Sequence, residues 1–124
     1  MNEKAYKIFY ENRVDYSKGP IKGNPFYSEL EEFIEKFRLQ NKKVLEIGSG
    51  NGTLQDVVTD YTGLDVAESV RHFYKKPYYV IKEAGEYPFF SGTFDAIFTR
   101  STLEHIPNIN QELQEMIRVL RVGG

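Results

Sequence analysis

The sequence predicts an α/β domain built on a doubly wound, mostly parallel sheet. Two observations carry that prediction. From Lys43 onward, short apolar runs alternate with amphipathic stretches, the pattern of strands joined by right-handed crossover helices. The first run, "VLEIG", leads straight into "SGNG", so three glycines alternate at the turn that leaves a strand.

The elements follow in order. Glu3 to Asn12 reads as a short helix, with Ala5, Ile8 and Phe9 on one side and Tyr6 and Tyr10 four apart. "DYSKGPIKGNP" is a loop. Asn24 is placed to cap a second helix with Pro25 at its first position. Phe26, Leu30, Phe33, Ile34 and Phe37 form the apolar stripe of that helix. "KKVLEIG" is the first strand, apolar enough for burial on both faces. Thr53 to Asp60 reads as a brief helix with Leu54, Val57 and Val58 inward, and "YTGLDV" is the second strand. Glu68 to Lys75 reads as a helix that stops before Pro77. "YYVIKEA" is the third strand, "EYPFFSGT" a loop and "FDAIFTRS" the fourth strand. Asn108, with Gln111 three residues on, opens the last helix as a variant capping box. Ile109, Leu113, Met116, Ile117 and Leu120 are its expected buried stripe, with Gly123 and Gly124 ending it. Residues 1–42 are thus a helical extension and 43–124 the sheet domain.

Composition bounds the function. The 124 residues suit one small domain, and 40% hydrophobic and 15% aromatic content supply a core. Net charge is −2, which argues against nucleic acid held by bulk charge. The absence of cysteine rules out disulfides and thiolate metal sites and fits a reducing cytoplasm. No apolar run reaches the ~20 residues of a bilayer crossing, so neither nucleic acid nor membrane is an expected partner. "MNEKAYKIFYENR" has no apolar core of a signal peptide.

In a doubly wound sheet, ligands sit beyond the carboxyl ends of the strands. The glycine loop, Asp65, Glu83 and Thr99 to Ser101 all fall at such ends. A dinucleotide fingerprint has the spacing G-x-G-x-x-G. Here the spacing is G-x-G-x-G over Gly48, Gly50 and Gly52, with Thr53 where the third glycine belongs. Alternating glycines suit a ligand lying on bare backbone. Glu46 beneath the loop disfavours a pyrophosphate and attracts an ammonium or sulfonium group. Asp65 stands at about the ~20-residue distance from which an acid grips ribose hydroxyls. These residues favour a cationic nucleoside ligand.

"VLEIGSGNG", "GLDV", "EYPFFSGTFDAIF", "STLEHIPN" and "MIRVLRVGG" together resemble the class I S-adenosylmethionine-dependent methyltransferases, in particular their type 11 domain. The resemblance covers Lys43 to Gly124. It implies a Rossmann-like sheet comprising the family's first four strands, S-adenosyl-L-methionine as cofactor and S-adenosyl-L-homocysteine as product. Carried over residue by residue, it implies that Glu46, Gly48, Ser49 and Gly50 contact the amino and carboxylate groups of the methionine end, with Gly52 also cofactor-binding. Asp65 would accept the ribose hydroxyls, Val66 would pack on adenine, and Glu83 with Ala84 would face its amino group. Gly85 stands where the family commonly has an acid. Thr99 and Arg100 would line the reactive side, and His105 would be the candidate base. The N-terminal aromatics Tyr6, Phe9, Tyr10 and Tyr16 pack on the sheet or serve as a lid. The family's sheet order also leaves the fourth strand as an exposed edge here, which implies self-association.

Each assignment has a plainer competitor. Asp65 could cap a helix through "VAESV", Glu83 could be a solvated charge, and Arg100 could pair with Glu104. His105 could be an ordinary surface histidine. The function expected is methyl transfer to a small-molecule acceptor, against a non-catalytic cofactor-binding fragment or a nicotinamide-dependent oxidoreductase.

Overall fold

The computed structural model describes residues 25–82, 85–99 and 106–124. The expected helix at Glu3–Asn12 and the Asn24 cap lie outside them. Helix α1 (Pro25–Lys36) is followed by β1 (Lys43–Ile47), β2 (Asp60–Asp65), β3 (Tyr78–Val80), β4 (Ala96–Thr99) and helix α2 (Ile109–Val119). The sheet order is β3-β2-β1-β4, and all three pairings are parallel. The doubly wound parallel sheet is therefore present, with β1 in the interior and β4 at one edge.

Each face of the sheet has its own core, as the two-unit side-chain period of strands requires. Val44, Tyr61 and Phe98 face α1, packing with Leu30, Ile34, Leu39, Leu54 and Val58. Leu45, Ile47 and Leu64 face the other way, against Ile81, Tyr87, Phe94, Met116 and Val119. Val44, Leu45 and Leu64 are wholly buried, so β1 and β2 are covered on both faces.

Both expected crossover helices shrink to single 3-10 turns. Thr53–Asp56 replaces Thr53–Asp60, and Arg71–Phe73 replaces Glu68–Lys75. The connections are short, and their apolar residues are held by side-chain contacts instead. Helix α2 is rotated from the expected register. Glu112, Met116 and Val119 are its buried residues, whereas Leu113 and Ile117 are exposed. Its cap also differs: Asn108 makes no side-chain cap bond, and its amide instead donates to Gln111 Oε1 at 2.8 Å. The helix stops at Val119 rather than at the glycines. Leu120 is extended, in a parallel bridge with Phe94, and Arg121 N donates to Phe94 O at 2.8 Å. In α1, Phe33 is 42% exposed, although its ring meets Phe98 edge-on at 5.2 Å. Phe37 lies beyond the helix and is also exposed.

Candidate cofactor site

The three glycines after β1 all take left-handed backbone angles, with φ of 68° at Gly48, 53° at Gly50 and 72° at Gly52. A side chain is strained at such angles, which explains why glycine stands at all three. The loop is fastened to β2: Gly48 N and Ser49 N both donate to Leu64 O, at 2.8 and 3.3 Å. It is also fastened to Asp65. Gly50 N donates to Asp65 Oδ2 at 2.8 Å, and Val66 N donates to Oδ1 at 2.6 Å. Asp65 caps no helix, because the turn after it starts from Val70. The carboxyl ends of β1 and β2 thus form one unit, with a buried carboxylate in it. Ile81 N donates to Asp65 O at 2.9 Å, which brings the end of β3 to the same place.

Glu46 is also buried, and Tyr61 Oη donates to its Oε1 at 2.5 Å. Burial, with Glu46 alongside, holds the Tyr61 phenol well above its ordinary value, so Tyr61 remains a donor at neutral pH. Tyr74 Oη lies 2.6 Å from both Ser49 Oγ and Gly50 O. Its single hydrogen goes to one acceptor, and the Ser49 hydroxyl is able to donate back to it. Gln55 brackets the segment carrying Tyr74: its Nε2 donates to Phe73 O at 3.0 Å and its Oε1 accepts from Lys75 N at 2.9 Å.

Tyr61, Tyr74 and Gln55 were not singled out from the sequence. Gly63 was a usable signal. A Cβ there would come within 2.7 Å of the Tyr74 ring and 2.9 Å of Ser49 Oγ. A Cβ on Gly52 would come within 2.5 Å of the same ring. Bare backbone at Gly52 therefore accommodates Tyr74 from within the fold, besides serving the left-handed turn.

Val66 packs at the margin of the α2-side core. Thr99 ends β4 opposite Ile47. Its Oγ1 is the one buried side-chain polar atom without a hydrogen-bond partner among the described residues. Such an atom costs free energy until something pairs with it. Glu83, Ala84, Arg100 and His105 lie outside the described residues. The chain just after Ala84 is held from α2: Glu112 Oε1 accepts from Gly85 N at 3.1 Å, and Glu112 Oε2 accepts from Tyr87 Oη. Glu115 Oε2 accepts from Tyr87 N at 2.8 Å, and Arg118 donates to Phe89 O at 2.8 Å. Among the described residues no group of three or more His, Cys, Asp or Glu is arranged to hold a metal ion. No helix among them is long and apolar enough to cross a membrane.

A parallel sheet thus carries a glycine turn, two buried carboxyl groups and an unpartnered hydroxyl at the carboxyl ends of its strands. Residues 45–124 match the model of a family described as "Methyltransferase domain", and the chain belongs to that family. Its cofactor is S-adenosyl-L-methionine. The chemistry of these residues fits that molecule: Gly48 and Gly50 are partly exposed, Glu46 and Asp65 supply carboxyl groups beside them, and Thr99 Oγ1 lacks a partner. The biotin biosynthesis bifunctional protein BioHC of Cellvibrio japonicus is 28% identical over 96 residues, 70% of this chain and 19% of that protein. A SAM-dependent methyltransferase from Aquifex aeolicus shares the fold at TM-score 0.64 and 23% identity, with 88% of this chain and 69% of that one covered. The trans-methyltransferase CalH, solved with S-adenosylhomocysteine, shares it at TM-score 0.57 and 17% identity, with 90% and 41% covered. The chain thus spans about a fifth of BioHC and well under half of CalH.

Proposed function

We propose that this chain binds S-adenosyl-L-methionine at the carboxyl ends of β1, β2 and β4 and serves methyl transfer to a small-molecule acceptor in the cytoplasm. The observation that carries the reading is the Asp65–Gly50 hydrogen bond, which joins the acid expected to meet the ribose to the loop expected to meet the methionine end. In this reading Glu46, Gly48, Ser49 and Gly50 hold the methionine end, with Gly52 in the same cofactor-binding loop. Asp65 accepts the ribose hydroxyls, Val66 packs on adenine, and Glu83 with Ala84 faces the adenine amino group.

When bound, the cofactor supplies an electrophilic methyl group on a sulfonium sulfur. The residues around it mainly align the partners and exclude water. Thr99 Oγ1 offers a hydrogen bond on the reactive side. His105 takes the proton from an acceptor hydroxyl, a role needed only where the acceptor is protonated at working pH. Titration calorimetry with S-adenosylhomocysteine, beside a thermal-shift comparison with NAD, tests the binding; a response to NAD alone would overturn it. An assay of methyl release on an acceptor panel tests the transfer. A His105→Ala variant with full turnover on an identified acceptor would remove the base role.

Self-association along the β4 edge is part of the same proposal. The support is that β4 pairs only with β1 among the described residues, and open strand edges invite pairing. Light scattering that finds a stable monomer would count against it.

A further inference from the structure

We propose that Tyr74 is a positioning residue for the cofactor loop, a latch that holds Ser49 and Gly50 in their binding shape from beneath. The inference rests on the reading that this loop takes the methionine end of S-adenosylmethionine.

Four observations support it. The Tyr74 hydroxyl meets both the Ser49 hydroxyl and the Gly50 carbonyl at 2.6 Å, so it grips two consecutive loop residues. The preceding peptide link, between Ser49 and Gly50, is also fixed, since Gly50 N donates to Asp65. Gly50 is therefore held through its amide by the ribose-side acid and through its carbonyl by Tyr74. The ring itself is locked. It stacks on Tyr78 with centroids 4.2 Å apart, and it fills the space that a Cβ on Gly52 or Gly63 would need. Finally, Gln55 bonds the backbone on both sides of Tyr74, to Phe73 O and Lys75 N. Burial raises the phenol above its ordinary value, which keeps it a donor throughout the neutral range.

A left-handed glycine loop has many conformations open to it, and glycine loses more freedom on ordering than any other residue. A latch that fixes the loop beforehand lowers the ordering cost of binding. Tyr74 thereby acts on cofactor affinity without touching the cofactor.

The test is Tyr74→Phe, which keeps the stacked ring and removes the hydroxyl. Titration of the wild-type chain with S-adenosylhomocysteine comes first, because absence of binding there would overturn the site reading rather than the latch. With wild-type binding in hand, the expected result is a Kd raised about five- to tenfold, the size of one ordinary net hydrogen bond. The amide resonances of Ser49 and Gly50 should broaden in the ligand-free variant, while those of Val44 and Leu45 stay sharp. An unchanged Kd overturns the proposal, as does equal broadening of core and loop amides. Should Tyr74→Phe fail to fold, Gln55→Leu serves as the second variant. It touches neither Ser49 nor Gly50 and removes the two bonds, to Phe73 O and from Lys75 N, that seat the Tyr74 backbone, so a loss of affinity in the same direction is expected and its absence is equally decisive.

Discussion

The carboxylate of Asp65 and the amide of Gly50 are joined by a 2.8 Å hydrogen bond between the tips of β2 and β1. The two residues are 15 positions apart, and the parallel register that pairs Ile47 with Leu64 carries both to the same edge. One side chain thus ties the glycine loop to the end of β2.

Replacing Asp65 with alanine removes a buried acceptor from the cleft. We expect the Kd for S-adenosylhomocysteine to rise roughly ten- to a hundredfold, since hydrogen bonds to a charged group are worth ~1.5–3 kcal/mol. Calorimetric titration checks this, and an affinity equal to wild type would remove Asp65 from the site.

Thr99→Val should behave in opposite ways with and without ligand. Thr99 Oγ1 is buried and unpartnered, so its replacement by a methyl group leaves the free chain as stable as before, or more stable by up to ~1 kcal/mol. Thermal melts should then show a smaller stabilisation by S-adenosylhomocysteine or by an acceptor than in the wild type. A clear loss of stability in the free variant would mean that the hydroxyl is already satisfied.

Glu112 is a buried carboxylate that serves Gly85 N and Tyr87 Oη together. Glu112→Ala takes the acceptor from both and should cost about 2–4 kcal/mol in urea unfolding. Glu112→Gln keeps one acceptor oxygen and should cost less than half as much. If Glu112→Ala were as stable as wild type, α2 would not be what holds the loop after β3.

The two buried tyrosines predict an alkaline limit. Burial, the largest cause, raises the phenols of Tyr61 and Tyr74 above their ordinary value of 10.0. A raised folded-state pKa means that the unfolded chain loses protons first as pH climbs, so stability falls from about pH 10 upward. The contribution is fully present below that pH. Denaturant midpoints measured from pH 8 to 11 should drop, and the drop should be shallower in Tyr61→Phe. Absorbance at the phenolate band should show these two groups ionising after the exposed tyrosines.

The α/β class, the strand positions and the acids at their tips were legible in the sequence because parallel strands buried on both faces must be continuously apolar. Positive φ at Gly48, Gly50 and Gly52 follows from the residue type that alone takes it without strain. The helix errors have an equally physical origin. Leu113 and Ile117 fit a helical stripe as well as Met116 and Val119 do, and periodicity cannot say which stripe meets the sheet. Nothing in the local pattern marks Glu112 for burial; it is buried because a loop some 25 residues upstream supplies its hydrogen-bond donors.

By itself, then, the sequence determined the order of strands and turns, the left-handed glycine loop and the placing of Glu46, Asp65 and Thr99 at strand ends, because those depend on local periodicity and backbone sterics. Only the tertiary structure decided which side of α2 is buried, that Tyr74 reaches Ser49 and Gly50, and that Asp65 ties the loop to β2. Those are contacts between residues distant in the chain, and their geometry is set by packing across the sheet.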